Sequence, residues 1–323
     1  MKLDILKFLT DHPGQWLSGE ELSRLTGVSR TAVWKQINQL RREGYVIESV
    51  PSKGYRMDSP GETLSREGLL LALSDSELIR EVVSLKTVDS TNRYGRQLDA
   101  GGVLVVAEEQ TGGRGRLGRS WLSPAGEGLW FSLVLKPEMD PSQASLVTQV
   151  AASAVWEGIR DITGIEAQIK WPNDILIRGR KVCGILTEMN AELGAMERLI
   201  VGIGINVNTP SLPESLEQTA TSLLLETGRK WSGKALLLSV LRAFERDFRR
   251  FEATGDLAAV LDRCRVHSAL IGHPIRILTG TREEYGEAVG LSERGELLVR
   301  RSTGETVPLI SGEISVRALP VIE

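Results

Sequence analysis

Cysteine is nearly absent from this chain: Cys183 and Cys264 are the only two among 323 residues, far apart and outside any CxxC spacing. That excludes a disulfide framework and a thiolate zinc site, and fits a reducing compartment. Histidine is as scarce, and His12, His267 and His273 form no HxxxH or HExxH pattern, which disfavours metal-hydrolase chemistry. No apolar run approaches the roughly 18 residues of a membrane span. The opening MKLDILKFLTDHPG carries acidic residues inside its apolar stretch and no small-residue cleavage site, so a cytoplasmic protein without a membrane partner is expected. Strong charge of either sign is missing too: 39 basic against 42 acidic residues give a net charge of -3, which excludes general coating of nucleic acid. At 323 residues the chain is long enough for two or three domains.

Charge is nevertheless concentrated locally. Leu3, Leu6 and Leu9 predict a short amphipathic helix ending before Pro13 and Gly14. Ser18 followed by Glu21 is a capping box that starts a second helix, which Gly27 ends. Ser29 caps a third, whose core face is Val33, Ile37 and Leu40. Tyr45-Val46-Ile47 and Tyr55-Arg56-Met57 around Pro51-Ser52-Lys53-Gly54 read as a hairpin. This is the order of a winged helix-turn-helix. Residues 29–56 hold Arg30, Lys35, Arg41, Arg42, Lys53 and Arg56 against Glu43 and Glu48, the local basic footprint that phosphate contact requires. Ser29, Arg30, Thr31, Lys35 and Gln36 are the candidate DNA-contacting residues of the third helix, with Lys53 on the wing. Trp34 has two options, packing inward or meeting the DNA backbone. One such head reads a half-site, so a specific operator needs a homodimer.

Asp58-Ser59-Pro60-Gly61-Glu62 reads as a linker, giving expected domains at 1–60, 61–270 and 271–323. Strand-like runs at 82–88, 103–107, 129–135, 175–178, 182–188 and 199–207, with helices near 142–160 and 234–253, point to an α+β domain on a mixed or largely antiparallel sheet. Short strands from Ile275 to Val316, separated by Thr279-Gly280, Arg294-Gly295, Thr303-Gly304 and Ser311-Gly312, predict a small SH3-like barrel.

Three clusters carry the chemistry. Gln110 to Trp121 contains a formal GxGxxG, but Ser120-Trp121-Leu122-Ser123-Pro124 follows where a dinucleotide fold needs a helix. The alternative is an anion-binding loop: glycine supplies freedom, while Arg114, Arg116 and Arg119 supply permanently charged donors. Lys170-Trp171-Pro172-Asn173-Asp174 is a turn entering a strand, and Gly179-Arg180 is a hairpin turn leading to Lys181. Gly202-Ile203-Gly204-Ile205-Asn206 is an apolar strand whose glycines admit a close neighbour.

The succession Asp89-Ser90-Thr91-Asn92, GGRGRLGRSW, KWPNDILI, GRKVCGIL, GIGIN and SGEISVR resembles the biotin protein ligases, and the winged helix resembles their bifunctional, operator-binding form. The resemblance spans nearly the whole chain and implies two steps. Biotin and MgATP give biotinyl-5′-AMP, and a lysine of biotin carboxyl carrier protein then takes the biotin. It implies Arg116 and Lys181 as the catalytic pair, and Ser90, Thr91, Asn92, Gln110, Gly113, Arg114, Arg116, Lys181, Gly184 and Gly202 around biotin. Arg116, Arg119, Trp121, Lys181, Asn206 and Arg317 are implied around the nucleotide, with Asp174 a structural or magnesium-linked acid. A second, adenylate-covering loop is expected at 218–231, where the match is loose and assigns no contacts. An adenylate-bound homodimer would repress a biotin operon. Three other readings stay open: a ligand sensor without ligase activity, a lipoate-type ligase, and a winged helix that no longer represses.

Overall fold

Ser18 and Ser29 cap the two helices that the sequence assigns to them. The chain is seen in a computed structural model that describes residues 1–192, 195–279, 281–310 and 314–318. It divides into two compact units, Met1–Ser84 and Leu85–Glu323.

In the first unit, α1 (Lys2–Asp11) buries Ile5, Leu6 and Leu9. Leu3, expected on that face, is only half-buried, because a 3.6-residue turn brings Ile5 beside Leu9 and leaves Leu3 at the margin. Helix α2 (Gly19–Thr26) begins where Ser18 Oγ accepts from Glu21 N at 3.0 Å. It ends on Gly27 at φ 69°, the left-handed conformation glycine adopts without strain. Helix α3 (Arg30–Arg42) is capped by Ser29 and fully buries Val33, Ile37 and Leu40. The hairpin pairs β1 (Glu48–Val50) with β2 (Gly54–Arg56). It starts three residues later than the sequence reading, because Tyr45 and Ile47 are drawn into the helical core. Gly54, at φ 102°, lies against the Leu17 backbone where a Cβ would collide, so Leu17 and Tyr55 exchange both backbone hydrogen bonds at 2.8 Å. A further helix, α4 (Arg66–Ala72), was not foreseen. Ser65 caps it and bonds Tyr45 Oη at 2.6 Å, and Lys2 bridges Glu43 and Glu67 at 2.6 and 2.9 Å. Those contacts carry the compact unit past the linker at 58–62 to Ser84.

Strand β3 (Glu81–Val88) and helix α5 (Thr91–Gly95) lead into the larger unit. Next come β4 (Val103–Gln110), β5 (Gly128–Leu135), α6 (Ala144–Thr163), β6 (Gln168–Lys170), β7 (Asp174–Ile177), β8 (Arg180–Glu192) and β9 (Ala195–Asn206). Helices α7 (Leu223–Thr227), α8 (Gly233–Thr254) and α9 (Ala258–Val266) complete its helical part. The strands form one seven-stranded sheet in the order β3-β4-β5-β9-β8-β7-β6. Its described ladders are antiparallel, with isolated parallel bridges at Ile169–Ser268 and Lys181–Ala220. Strand β5 is buried from Leu129 to Leu135 because α5 and α8 both pack on it, so its side chains read as a continuous apolar run broken only by Ser132. Gly158 lets α6 approach Val240 of α8 closer than any side chain would allow. Both cysteines are free and buried; desolvation pushes the Cys183 thiol well up and that of Cys264 to about 12.

Strands β10 (Pro274–Thr279), β11 (Arg282–Leu291), β12 (Leu297–Arg300), β13 (Thr306–Leu309) and β14 (Ile314–Ala318) make an antiparallel sheet in the order β13-β12-β11-β10-β14. Among the described residues no ladder joins β13 to β14, so the expected barrel is seen as an open sheet. Gly280 and the Ser311-Gly312 turn lie outside the described residues.

A charge cluster ties the helices together. Asp247, 7% exposed, accepts from Arg246 and from Arg263, while Arg246 also forks onto both oxygens of Glu157 at 2.7 and 3.0 Å. Arg263 donates to Ser153 of α6 at 2.7 Å. Removing one partner of a buried pair strands the other. Asp247→Ala is therefore expected to cost about 3 kcal/mol, read as a lower urea midpoint for the transition that melts α6, α8 and α9. Arg246→Ala, at a half-exposed side chain, should cost about 1 kcal/mol or less.

Candidate functional site

The sequence Asp89-Ser90-Thr91-Asn92 makes the entry to α5. Ser90 caps it, accepting from Arg93 N, and this turn presents the next two side chains to the sheet. Thr91 donates through N and Oγ1 to Gln110 Oε1 at 2.9 and 3.1 Å, and Gln110 Nε2 donates to Ser123 Oγ at 2.8 Å. Ser132 Oγ, fully buried on β5, lies 2.7 Å from both Thr91 Oγ1 and Asn92 Oδ1. Asn92 donates to Leu186 O at 3.1 Å and to Glu188 Oε2 at 2.9 Å. A buried polar network of this kind holds its members in one geometry only when each is partnered. Ser90, Thr91, Asn92, Gln110, Arg114, Gly184 and Gly202 all line one small pocket. Asn92, expected at the ligand, lines that pocket while its Nδ2 is held by Leu186 O and Glu188 Oε2. Ser123, Ser132 and Glu188 were not foreseen, although one serine in the apolar run Gly128–Leu135 was a readable signal for a buried polar contact.

The Gly/Arg segment folds as a tight hairpin. Gly115 N donates to Arg119 O at 2.7 Å and Trp121 N to Gly113 O at 2.9 Å, with Leu117 at φ 57° and Gly118 at φ 72° turning the tip. Gly113 is required because a Cβ there would run into the Trp121 carbonyl. Arg116 is turned inward and donates Nη1 to Asn173 Oδ1 at 3.3 Å. Asn173 is itself locked by donating Nδ2 to Ile185 O at 2.8 Å, so the Trp-Pro-Asn-Asp turn aims the arginine. Burial disfavours the charged Arg116 guanidinium; Asp174 offsets part of that effect and Arg119 adds to it. Lys181 opens β8 and meets Asp174 Oδ1 at 2.6 Å, with its ammonium 5.1 Å from the Trp121 ring centroid.

Beside the small pocket lies a cavity of about 870 Å³. The small pocket holds only about 40 Å³, because the Trp121 indole lies on Gly184 and Gly204 in the space their missing side chains leave. Trp121 Nε1 is buried there with no hydrogen-bond partner among the described residues. The space that Gly202 was expected to leave is taken by the Asn92 amide. Gln110, Gly115, Arg116, Trp121, Asn173 and Lys181 line both spaces, so the two inward cations stand at their junction. The larger cavity also takes Arg119, Asp174, Asn206, Val316 and the segment from Thr209 to Ala220. Of the expected covering stretch 218–231, Gln218, Thr219 and Ala220 line this cavity, joined by residues that precede them from Thr209 on. Trp231 stacks with Arg229 at 3.8 Å and donates to Thr227 instead. Asn206 donates to Thr221 O at 3.0 Å. Arg317 lies in β14, paired through its backbone with Arg276, and its side chain is outside the described part. Among the described residues no group of three or more His, Cys, Asp or Glu is placed to hold a metal.

On the first unit, Ser29, Arg30, Thr31 and Lys35 are exposed along α3 and Gln36 is half-buried. Trp34 takes the outward option, with 55% of its surface exposed. Arg41 is spent on Ile47 O and Arg56 on Glu48, while Lys53 at the hairpin turn and Arg56 flank the Trp16 ring. Two of the six cations that define the basic footprint thus also hold the wing in place.

Comparison with known proteins matches three family models: HTH domain over residues 2–56, Biotin/lipoate A/B protein ligase family over 84–206, and Biotin protein ligase C terminal domain over 270–317. The bifunctional ligase/repressor BirA of Bacillus spizizenii is 37% identical over 310 residues, covering 94% of this chain and 95% of its own length. Its counterpart from Escherichia coli is 33% identical, covering 94% of each. Among solved structures, a biotin protein ligase from Aquifex aeolicus in complex with biotin and ATP superposes with a TM-score of 0.67 at 35% identity, covering 75% of this chain and 100% of its own.

Proposed function

We propose that in this chain, which belongs to the biotin/lipoate A/B protein ligase family and to its bifunctional ligase/repressor type, Arg116 and Lys181 neutralise the charge that gathers when biotin is joined to ATP. The chain is an ATP-dependent biotin–protein ligase with a DNA-binding repressor head. The observation that carries the residue assignment is the placement of those two cations at the junction of the two cavities.

A carboxylate is ionised at neutral pH and is already a nucleophile, so the first step needs no general base. One carboxylate oxygen of biotin bonds to the α-phosphorus of ATP, the bond from that phosphorus to the leaving pyrophosphate breaks, and the mixed anhydride remains. Two anions must approach within bonding distance, and forked or pointed cations in a water-poor junction supply the stabilisation. The ureido ring sits in the small pocket on Ser90, Thr91, Gln110 and the Gly113 backbone turn, with Arg114 at its rim. The Trp121 indole moves off Gly184 and Gly204 to admit it. The adenine and ribose take the larger cavity, with Arg119, Trp121, Asn206 and Arg317 along it. Asp174 is one carboxylate on the cavity wall, which suits a Mg²⁺ held chiefly by the ATP phosphates. In the second step an acceptor lysine amine attacks the acyl carbon, AMP leaves and the amine loses a proton. We assign the acceptor to the biotin carboxyl carrier protein of acetyl-CoA carboxylase.

Functional segments at 1–60, 61–270 and 271–323, the last an SH3-like barrel, complete the reading. Ser29, Arg30, Thr31, Lys35, Gln36 and Lys53 meet operator DNA, and adenylate binding favours the homodimer that pairs two heads. The protein acts in the cytoplasm; among the described residues no helix is long and apolar enough to cross a membrane. Incubation with ATP, biotin and a carrier-protein fragment, read by mass, should show one biotin added to the fragment. A fragment left unmodified while the chain binds biotin would leave a sensor without ligase activity. An operator gel shift that strengthens when biotin and ATP are added together tests the repressor arm.

A further inference from the structure

Glu226 is a buried carboxylate that the ligation chemistry does not use. It sits on α7 with its side chain 2% exposed. Its Oε1 accepts from Arg180 Nη2 at 2.6 Å and from Thr221 Oγ1 at 2.7 Å, and Arg178 Nη1 lies 3.5 Å from Oε2. Arg178 belongs to the turn that joins β7 to β8, and Arg180 is the first residue of β8, immediately ahead of Lys181.

The residues that Glu226 gathers have a second link. Strand β9 leaves the sheet at Asn206, so β8 loses its partner on that side before Cys183. The chain returns to fill the gap: Lys181 N donates to Thr219 O and Thr221 N donates to Lys181 O, both at 2.9 Å. Asn206 Nδ2 fastens Thr221 O from the end of β9. Thr221 and Ser222 are fully buried, and Ser222 Oγ donates to Thr209 O at 2.7 Å, which ties the two ends of the intervening loop together. That loop supplies Thr209, Ser211, Leu212, Pro213, Leu216 and Ala220 to the wall of the larger cavity. The base of the loop is thus held by Glu226 on one side and by the Lys181 backbone on the other.

We infer that Glu226 with Arg180 is an ionic latch that positions the 209–221 loop and the Lys181 backbone for the nucleotide, a role that rests on the reading of the larger cavity as the ATP site. Glu226 is a positioning residue, since it lines neither cavity. A charge buried with its partner is strongly coupled to it, and removing either one loosens what both hold. The small pocket shares Lys181 with the larger cavity, but among the described residues its Ser90, Thr91 and Gln110 side chains bond neither Glu226 nor Arg180.

The test uses the full chain with Glu226→Gln, Arg180→Gln and the double variant. Arg180 has the more exposed side chain, so its variant keeps the test open should Glu226→Gln fail to fold. Adenylate formation followed by pyrophosphate release should show the KM for ATP raised about tenfold in Glu226→Gln, with the KM for biotin within about twofold. The double variant should be no worse than Glu226→Gln alone. Glu214 and Glu217 are exposed in the loop, so a glutamate-specific protease supplies a readout that needs no ligase activity. Cleavage there should quicken about tenfold in either single variant, as expected when a local opening equilibrium shifts by that factor. Unchanged cleavage overturns the latch. Faster cleavage with the two KM values moving together, or with neither moving, overturns its assignment to the nucleotide. A wild-type chain that makes no adenylate sinks the ligase reading, while the cleavage rates still judge the latch.

Discussion

Replacing Lys181 with methionine is expected to slow adenylate formation by about 10³-fold, the scale seen when one preorganised charge or donor is taken from an oxyanion-type site. The ammonium is held by an ionic contact to Asp174 at 2.6 Å, and it lies over the Trp121 ring at the junction of the two cavities. Asp174 aims the lysine while the site is open, and the phosphate takes over that contact when ATP arrives. Methionine keeps most of the length and apolar stem, so packing against Trp121 survives and the loss is electrostatic. The variant also leaves Asp174 facing the incoming phosphate without its lysine partner. Adding Asp174→Asn to Lys181→Met should therefore recover a few-fold in rate, although Asp174→Asn alone slows the wild-type enzyme, an inversion that only a direct pair produces. Pyrophosphate release at saturating biotin measures all three variants. A Lys181→Met rate within about tenfold of wild type would remove lysine from the reacting centre.

The sequence exposed the helices and strands whose local signals agree with their packing. Ser18, Gly27 and Ser29 mark helix ends by chemistry that acts within four residues, and the structure places those ends there. The central strands were legible because β5 and β9 are apolar along most of their length. What stayed hidden depends on neighbours distant in sequence. Helix α4 is short and gains its stability from α1 and Tyr45, which no local pattern reveals. Tyr45-Val46-Ile47 has strand-like composition, yet the core takes Tyr45 and Ile47 and moves the hairpin on to Glu48. Within the site, the Gly/Arg hairpin and Lys181 stood out by charge and spacing. Asn173, Ser132 and Glu226 did not, because each acts through a partner 40 or more residues away: Arg116, Thr91 and Arg180. The cavity wall from Thr209 to Leu216 was not legible because its proline, serine and glutamate carry no binding signal of their own, and the resemblance that marked 218–231 is loose there.

Arg116→Gly should leave adenylate formation measurable but shorten the residence of the product about 100-fold. The guanidinium bonds across from the Gly/Arg hairpin to the Asn173 turn, so it closes the junction over whatever lies there. Charge-assisted hydrogen bonds from a fork to an anhydride and its phosphate are worth about 1.5–3 kcal/mol each, and losing roughly 2.8 kcal/mol of them is a factor of about 100. Glycine adds a second effect. Gly115 and Gly118 already flank the position, and a third flexible residue raises the cost of ordering the tip around the ligand. Arg116→Ala separates the two contributions: it removes the fork without the extra freedom, and its product should leave about three-fold more slowly than that of Arg116→Gly, the scale of a Gly-to-Ala change in an ordered backbone. Asn173→Ala keeps the fork but removes its aim, so a loss of about five- to tenfold in residence is expected, the worth of one hydrogen bond. Release is followed with labelled biotin by rapid filtration, and escaped adenylate is caught as biotin on the lysines of a bystander protein. An Arg116→Gly chain that holds its adenylate as long as wild type would mean that the hairpin does not close on the product. Retention would then have to come from the 209–221 loop alone.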